Sequence, residues 1–390
     1  MKIALLTAFP PSQVTLNEYG YYLTKYFVKN PMVDSFVLFS DDTAEPKLID
    51  FPTYDKLEVV DCWKFNSYFS VFRILKAALM TKPDVVIINA HFLKFGDKKI
   101  PASLGLMMAF FLKIFGFKTV FLIHNIMEKV DLEKAGFTES AILQWIYNLI
   151  GNMLTRFILM ADIVVVTIDK YVDILEQKYK VSKVAMIPHG AFEVPPPPTF
   201  ILPEGPRKIM AFGKFGTYKK VYNMIEAVEL LRKRINIPME IVIAGTDSPN
   251  TIGYLKQAET KYSHVENLTF TGYVAESDVE RIFVESAVVV FPYTSTTGSS
   301  GVLHQAGSYG KAVVIPNIDD LAHLIEEEGY RGEYFDPNSP ESLSVAIEKL
   351  IVDPEYANKL GMTNYKAATS LPMDDIVRWY MAQILNLVKK

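Results

Sequence analysis

The feature that most constrains this chain is a rhythm of short apolar runs, bounded by turn residues and separated by amphipathic segments. KIALLTAF opens it. Asp34–Ser40 (DSFVLFS), Asp84–Ala90 (DVVIINA), Thr119–Asn125 (TVFLIHN), Asp162–Thr167 (DIVVVT) and Val184–Gly190 (VAMIPHG) follow. These runs are apolar on both faces, the pattern of strands buried between two helix layers. Between them, Glu18–Val28, Ala102–Phe115 and Ser140–Met160 carry apolar residues at helical spacing. Alternating strands and helices imply parallel pairing with right-handed crossovers, and so an α/β chain with an open doubly wound sheet.

Four consecutive prolines, Pro195–Pro198, then interrupt the pattern. They continue neither a helix nor a central strand and read as an extended linker. The rhythm restarts with Lys208–Gly213, Met239–Gly245, Leu268–Tyr273, Ala287–Tyr293 and Ala312–Asn317 as strands. Helices are predicted at Val221–Arg234, Asp278–Glu285, Gly301–Tyr309, Asp319–Glu327 and Pro340–Val352. The expectation is two doubly wound, Rossmann-like domains, residues 1–192 and 193–372, facing across a cleft at their strands' carboxyl edges. The amphipathic stretch Asp374–Lys389 either packs on the second domain or, as a helix over 373–390, crosses back to the first.

A chain of 390 residues is too long for one ordinary core. Its formal net charge of −4 gives no basic field for nucleic acid. Cys62 is the only cysteine, so no internal disulfide or cysteine-based metal site forms, and a reducing, cytoplasmic compartment is expected. Met1–Leu6 runs into a strand without a basic region or cleavage site. The most membrane-like stretch, Ser103–Ile123, is interrupted by Lys113, Gly116 and Lys118, and falls short of the roughly 20 apolar residues a span needs.

Several catalytic signatures are absent. TAFPPS stands after the first strand where a dinucleotide fingerprint would be. There is no G-x-x-x-x-G-K-[ST], no H-E-x-x-H and no G-x-S-x-G. The strongest local feature is Thr294–Lys311, where a buried strand ends in a Gly/Ser/Thr-rich turn that opens a helix near Gly301. Small residues admit a ligand close to the backbone, and the helix N-terminus favours phosphate. An ordinary, well-capped strand–helix loop is the other reading. Phe212–Lys220 (FGKFGTYKK) sets Lys214 and Lys219 around a glycine turn, suited to a diphosphate or else a solvated basic loop.

These elements together resemble the GT-B glycosyltransferases, and among them the retaining family 4. Gly213–Lys220 stands where that family carries G-R-x-x-x-x-K-G, with Lys214 at its arginine and Lys219 at its lysine. Thr297–Val313 (TGSSGVLHQAGSYGKAV) matches its E-G-x-G-x-x-x-x-E-A-x-A-x-G-x-P-V. IPHG at Ile187–Gly190, AGTDSP at Ala244–Pro249 and GEYFDPNSPESLSVAI extend the likeness over nearly the whole chain. The resemblance implies a donor site of Gly213, Thr297, Gly298, Ser299, Ser300, Gly301, Val302 and Gln305, with His124, Lys214 and Lys219 at the reaction centre. It places His124 beside the donor sugar. The chain's departures from the family bear on its site. Thr297 and Gln305 replace its two glutamates, which contact the donor sugar and the ribose, and Pro10–Asn17 lacks the glycines of its first loop.

The reaction implied is retaining transfer from a nucleotide-diphosphate sugar, UDP- or GDP-linked, to a glycan or lipid-linked acceptor. It needs no cofactor and no metal, because lysines and a helix terminus stabilise the leaving diphosphate. Six scattered histidines make no metal site. The missing glutamates suggest an alternative, a GT-B-like chain that binds nucleotide or glycan without transfer. A third reading, a nucleotide-sugar epimerase, fits the lysine pair less well. Leu104–Phe117, with Lys94, Lys98, Lys99, Lys113 and Lys118 nearby, reads as a core helix or as a peripheral contact with the inner face of a membrane.

Overall fold

The computed structural model of the chain describes residues 1–12, 14–43, 51–52, 54–127, 140–192, 195–248, 251–295 and 300–389. The chain separates into two compact units. The first takes in Met1–Val130, Ser140–Phe192 and Met373–Lys390, and the second Glu193–Pro372.

Among the described residues, the first unit holds a seven-stranded sheet of β1 (Lys2–Leu6), β2 (Ser35–Asp41), β3 (Leu57–Trp63), β4 (Val85–Ala90), β5 (Lys118–Ile123), β6 (Ile163–Val166) and β7 (Val184–Met186). The order is β3-β2-β1-β4-β5-β6-β7 and every pairing is parallel. Central strands are buried on both faces, as their unbroken apolar runs require; Ile3–Leu6 and Val85–Ile88 are fully buried. β3 has no counterpart among the strands predicted from sequence. It lies at the sheet edge, with Glu58 and Asp61 exposed and only Cys62 and Trp63 buried, so it lacks the unbroken apolar run of a central strand. The helices are α1 (Asn17–Lys29), α2 (Ser70–Thr81), α3 (Lys99–Leu106), α4 (Met108–Ile114), α5 (Ala141–Ile158) and α6 (Asp169–Tyr179).

The single helix expected over Ala102–Phe115 is two helices, α3 and α4, broken at Met107. The break follows Gly105, where the missing side chain lets the Phe95 ring press on the backbone. Leu106, Met108, Ala109 and Leu112 are buried, so this stretch is largely core. No described helix is long and apolar enough to cross a membrane.

The second unit repeats the plan with β8 (Arg207–Phe215), β9 (Met239–Asp247), β10 (Leu268–Gly272), β11 (Val288–Val290), β12 (Ala312–Pro316) and β13 (Glu333–Phe335) in the order β10-β9-β8-β11-β12-β13, all parallel. Its helices are α7 (Val221–Arg232), α8 (Tyr254–Lys261), α9 (Glu276–Glu285), α10 (Gly301–Ser308), α11 (Asp319–Glu328), α12 (Pro340–Val352) and α13 (Pro354–Thr369). Ser339 caps α12 by accepting from the Ser342 N–H, and Asp353 caps α13 at Tyr356, each ahead of a proline in the first turn.

The last helix, α14 (Met373–Val388), belongs to the first unit. Ile376, Val377, Tyr380, Met381 and Ile384 are buried among Leu23, Phe27 and Phe36. The Lys118 ammonium donates to the Leu387 carbonyl at 2.6 Å, a cation at a helix C-terminus.

Candidate functional site

In a doubly wound sheet, ligands gather where the strand order reverses, beyond the carboxyl ends of the strands. In the second unit that point lies between β8 and β11, which are neighbours in the sheet. The loops leaving these two strands are the two glycine-bearing segments singled out from the sequence.

The structure stitches them together. The Lys220 N–H donates to the Pro292 carbonyl at 2.8 Å, and the Thr294 N–H donates to the Tyr218 carbonyl at 2.8 Å. Lys219 and Tyr293 form an isolated antiparallel bridge. Gly213 and Gly216 make the turn possible, with φ of +129° and +110°, in the region that disfavours L side chains. A Cβ at Gly213 would stand 2.8 Å from the Lys219 ammonium.

Lys219 is held between aromatic rings, 4.6 Å from the Tyr293 centroid and 5.9 Å from that of Tyr218. Ring faces stabilise an ammonium that burial strips of water. Burial nonetheless holds its pKa below the ordinary lysine range, and the charge interaction with Tyr218 partly offsets this. Lys214 is exposed. Its pKa is also lowered, first by desolvation and then by the positive charge of Lys219. Two ammonium groups close enough to repel one another favour an anion between them.

The N-terminus of α10 follows. Ser300 is its N-cap residue, 9% exposed, and its carbonyl accepts from the Leu303 N–H at 2.9 Å. Gly301 and Val302 form the half-buried first turn, and Gln305 lies one turn further on. Thr297, Gly298 and Ser299 lie outside the described residues. Not every small residue here serves a ligand. A Cβ at Gly307 would meet Tyr330, Asn364 and Ala368, so this glycine lets α10 pack closely. Lys311 donates to the Val284 and Ser286 carbonyls at 2.8 and 2.9 Å, satisfying the end of α9; burial pulls its pKa to about 8.

His304, on the buried side of α10, makes a 2.9 Å hydrogen bond through Nδ1 with the Tyr330 hydroxyl. Its Nε2 lies 3.5 Å from Glu328. Desolvation, with a smaller contribution from Glu327, raises the Glu328 pKa to about 8. Sequence reasoning missed Glu328 and Tyr330, because they sit on and after α11 and only the packing brings them under α10.

In the first unit the order reverses between β1 and β4. Here the Asn89 amide donates to the Thr7 hydroxyl at 2.9 Å, and His124 Nε2 donates to Asn89 Oδ1 at 2.8 Å. His124, just past β5, is 8% exposed. Desolvation, reinforced by charge interactions with His189, His91 and Lys94, holds its pKa well below the ordinary value, so it is neutral near pH 7. Tyr19 packs between His124 and His189, with centroids 4.8 and 4.6 Å away. His189 bonds its own chain at Gly190, 3.0 Å, and burial lowers its pKa to about 4. At His91, Nδ1 accepts from the Leu93 N–H at 3.2 Å.

Lys94 is the unexpected member of this edge. Read from sequence as one of a group of surface lysines, it is fully buried. Its ammonium donates to the Thr15 carbonyl at 2.8 Å and lies 5.9 Å from the Trp63 ring. Desolvation lowers its pKa to about 7 against the opposing charge of Asp41. Asp41 in turn accepts from the Phe9 N–H at 3.3 Å and from the Ser12 hydroxyl. These contacts hold the loop that lacks glycine. No group of three or more metal-ligating side chains occurs among the described residues.

Comparison with known proteins agrees with the fold. Residues 198–367 match the family Glycosyl transferases group 1. No curated protein matches the chain by sequence. Among solved structures, sucrose-phosphate synthase from Thermosynechococcus elongatus superposes with a TM-score of 0.73 at 16% identity, over 100% of this chain and 99% of that one. HepE from Anabaena, solved with UDP-glucose, gives 0.69 at 15% identity, over 100% and 99%. WaaG, a glycosyltransferase involved in lipopolysaccharide biosynthesis, gives 0.65 at 14% identity, over 98% and 99%. The match to glycosyl transferases group 1 thus falls within the second unit, and the chain as a whole has the GT-B fold.

Proposed function

We propose that the chain transfers a sugar from a UDP-sugar to a glycan or lipid-linked acceptor, with retention of anomeric configuration and without a metal. The observation that carries this reading is the junction of the two loops at the β8/β11 switch point, which sets Lys219 against Tyr293, on the segment that leads from β11 towards α10. In this reading the diphosphate lies against the two ammonium groups and the first-turn N–H groups of Ser300–Val302, and Gly298 and Ser299 are assigned to the donor from their motif positions alone. Cations fixed in the protein then stabilise the leaving group where other transferases use a metal ion.

The acceptor proton passes to the leaving diphosphate on the same face of the sugar, so no protein nucleophile is required. Gln305 contacts the ribose through a neutral amide, and Thr297 takes the place of a sugar-binding carboxylate. His124, kept neutral by burial, orients the sugar rather than supplying charge. UDP supports the nucleotide choice because HepE is solved with UDP-glucose.

Calorimetric titration with UDP and GDP, followed by donor hydrolysis and transfer assays, tests the reading. UDP should bind, and Lys219→Ala should abolish both binding and turnover. Failure of both nucleotides to bind, or full activity in Lys214→Ala/Lys219→Ala, would overturn it. Tight UDP binding without hydrolysis or transfer of any UDP-sugar would reduce the protein to a binding subunit.

A further inference from the structure

Among the described residues, the first unit carries an exposed apolar surface. The amino-terminal half of α5 turns large apolar side chains outward: Ile142 is 73% exposed, Trp145 67% and Leu149 56%, with Ile146 and Met153 beside them. They fall at helical spacing and form one stripe. Helices α2, α3 and α4 pack in the same layer as α5. Phe69 and Phe72, at the start of α2, and Ile100, on α3, are also exposed. Soluble surfaces seldom present so much contiguous apolar area without a partner.

The charge of this layer identifies the partner. Helices α2 to α5 contain no aspartate or glutamate; of their cations, Arg73 pairs with Asp42 and Lys113 with Asp162, while Lys76, Lys99 and Arg156 add positive charge to the layer. The whole chain is net negative. Lys76, Lys99 and Arg156 are exposed, and Lys99 reaches the Tyr147 hydroxyl on α5, beneath whose ring face it sits at 4.6 Å. A second copy of the chain would set this cationic layer against itself. An anionic bilayer surface satisfies both the charge and the apolar stripe, with Trp145 and Tyr147 suited to the headgroup boundary. We infer that α5 inserts in the plane of an anionic lipid bilayer, with the cations of α2 and α3 facing its headgroups. Since no described helix can span the bilayer, the attachment is peripheral. This inference is independent of the donor reading.

Flotation of the full chain tests it, with phosphatidylcholine vesicles containing or lacking 30% phosphatidylglycerol. The chain should float with anionic vesicles only, and less at high salt. In a Trp379→Phe background, Trp145 fluorescence should shift to the blue and be quenched by brominated lipid, because Trp63 is buried. Ile142→Ser/Trp145→Ser/Leu149→Ser should abolish flotation without unfolding, since these residues are exposed. Lys76→Ser/Lys99→Ser should weaken it roughly 25-fold, about fivefold for each cation. Failure to float with either vesicle, flotation indifferent to the α5 substitutions, or a dimer dispersed by them without any lipid binding would each overturn the proposal.

Discussion

Gly213→Ala places one methyl group against the site's most constrained cation. The new Cβ would lie 2.8 Å from Lys219 Nζ, whereas ordinary contact begins at 3.4–4 Å. The ammonium must therefore retreat by about 0.6–1.2 Å, a distance at which positioning effects of ~100-fold on turnover are reached. Losing one charge-assisted hydrogen bond to a diphosphate costs about 1.5–3 kcal/mol, or roughly 10- to 150-fold in UDP affinity. The backbone, at φ +129°, adds about 1–3 kcal/mol of strain to the folded state. Gly205→Ala separates the two effects. Gly205 also has positive φ, +85°, but a Cβ there meets nothing within 4 Å. Both variants should lose stability in thermal unfolding, and only Gly213→Ala should lose UDP affinity by calorimetry. Equal UDP affinity in the two would show that Lys219 does not hold the diphosphate.

Other expectations concern titration and packing. A diphosphate supplies the counter-charge that raises the depressed pKa values of Lys214 and Lys219, so binding takes up protons and UDP affinity should fall as pH rises through the lysines' lowered range; titrations from pH 7 to 10 showing constant affinity would contradict this. Glu328 is raised to about 8 from an unfolded value of 4.5, so the folded state binds the extra proton, and wild-type stability is lost as pH climbs through that window. Glu328→Gln should match the wild type near pH 4.5 and exceed it by a few kcal/mol at pH 8–9 in denaturant melts; parallel curves would mean that Glu328 is not held neutral. Lys94, lowered to about 7, acts in the opposite sense: its unfavourable contribution fades as pH rises from 7 toward 10.5, so Lys94→Met should flatten the stability profile in that range. Tyr380→Ala, in the buried face of α14, should destabilise the first unit by about 3–5 kcal/mol, read as loss of protection in its strands by hydrogen exchange.

How far this could be seen in the sequence depended on whether a property was local. Val85–Ile88 and Val313–Ile315 announce central parallel strands because every residue there is buried. Leu57–Trp63 does not, because an edge strand buries only part of its surface. The break at Met107 was illegible, since the apolar spacing of Ala102–Phe115 runs through it, and the close seat of Phe95 on Gly105 is a tertiary contact. The lysine spacing in Gly213–Lys220 suggested a diphosphate, but not the hydrogen bonds that lock this loop to Pro292–Thr294. Lys94 looked like its basic neighbours because sequence reports charge and not burial. Periodicity in α5 marked an apolar face and said nothing of whether protein covers it; among the described residues Ile142, Trp145 and Leu149 stay exposed.

The seating of α14 bears on how the protein is made. The first unit's core is left open on one side until Ile376, Tyr380 and Ile384 reach Phe27 and Phe36. A ribosome adding residues from the amino end exposes the strands β1 to β7 long before those side chains exist. The stretch Glu193–Pro372, which forms most of the second unit, is continuous in sequence and can close first. The segment synthesised earliest is thus completed last, through contacts of very long sequence separation that form slowly. During that interval its apolar strands and the α1 face are the surfaces on which a chaperone, or an aggregate, would act.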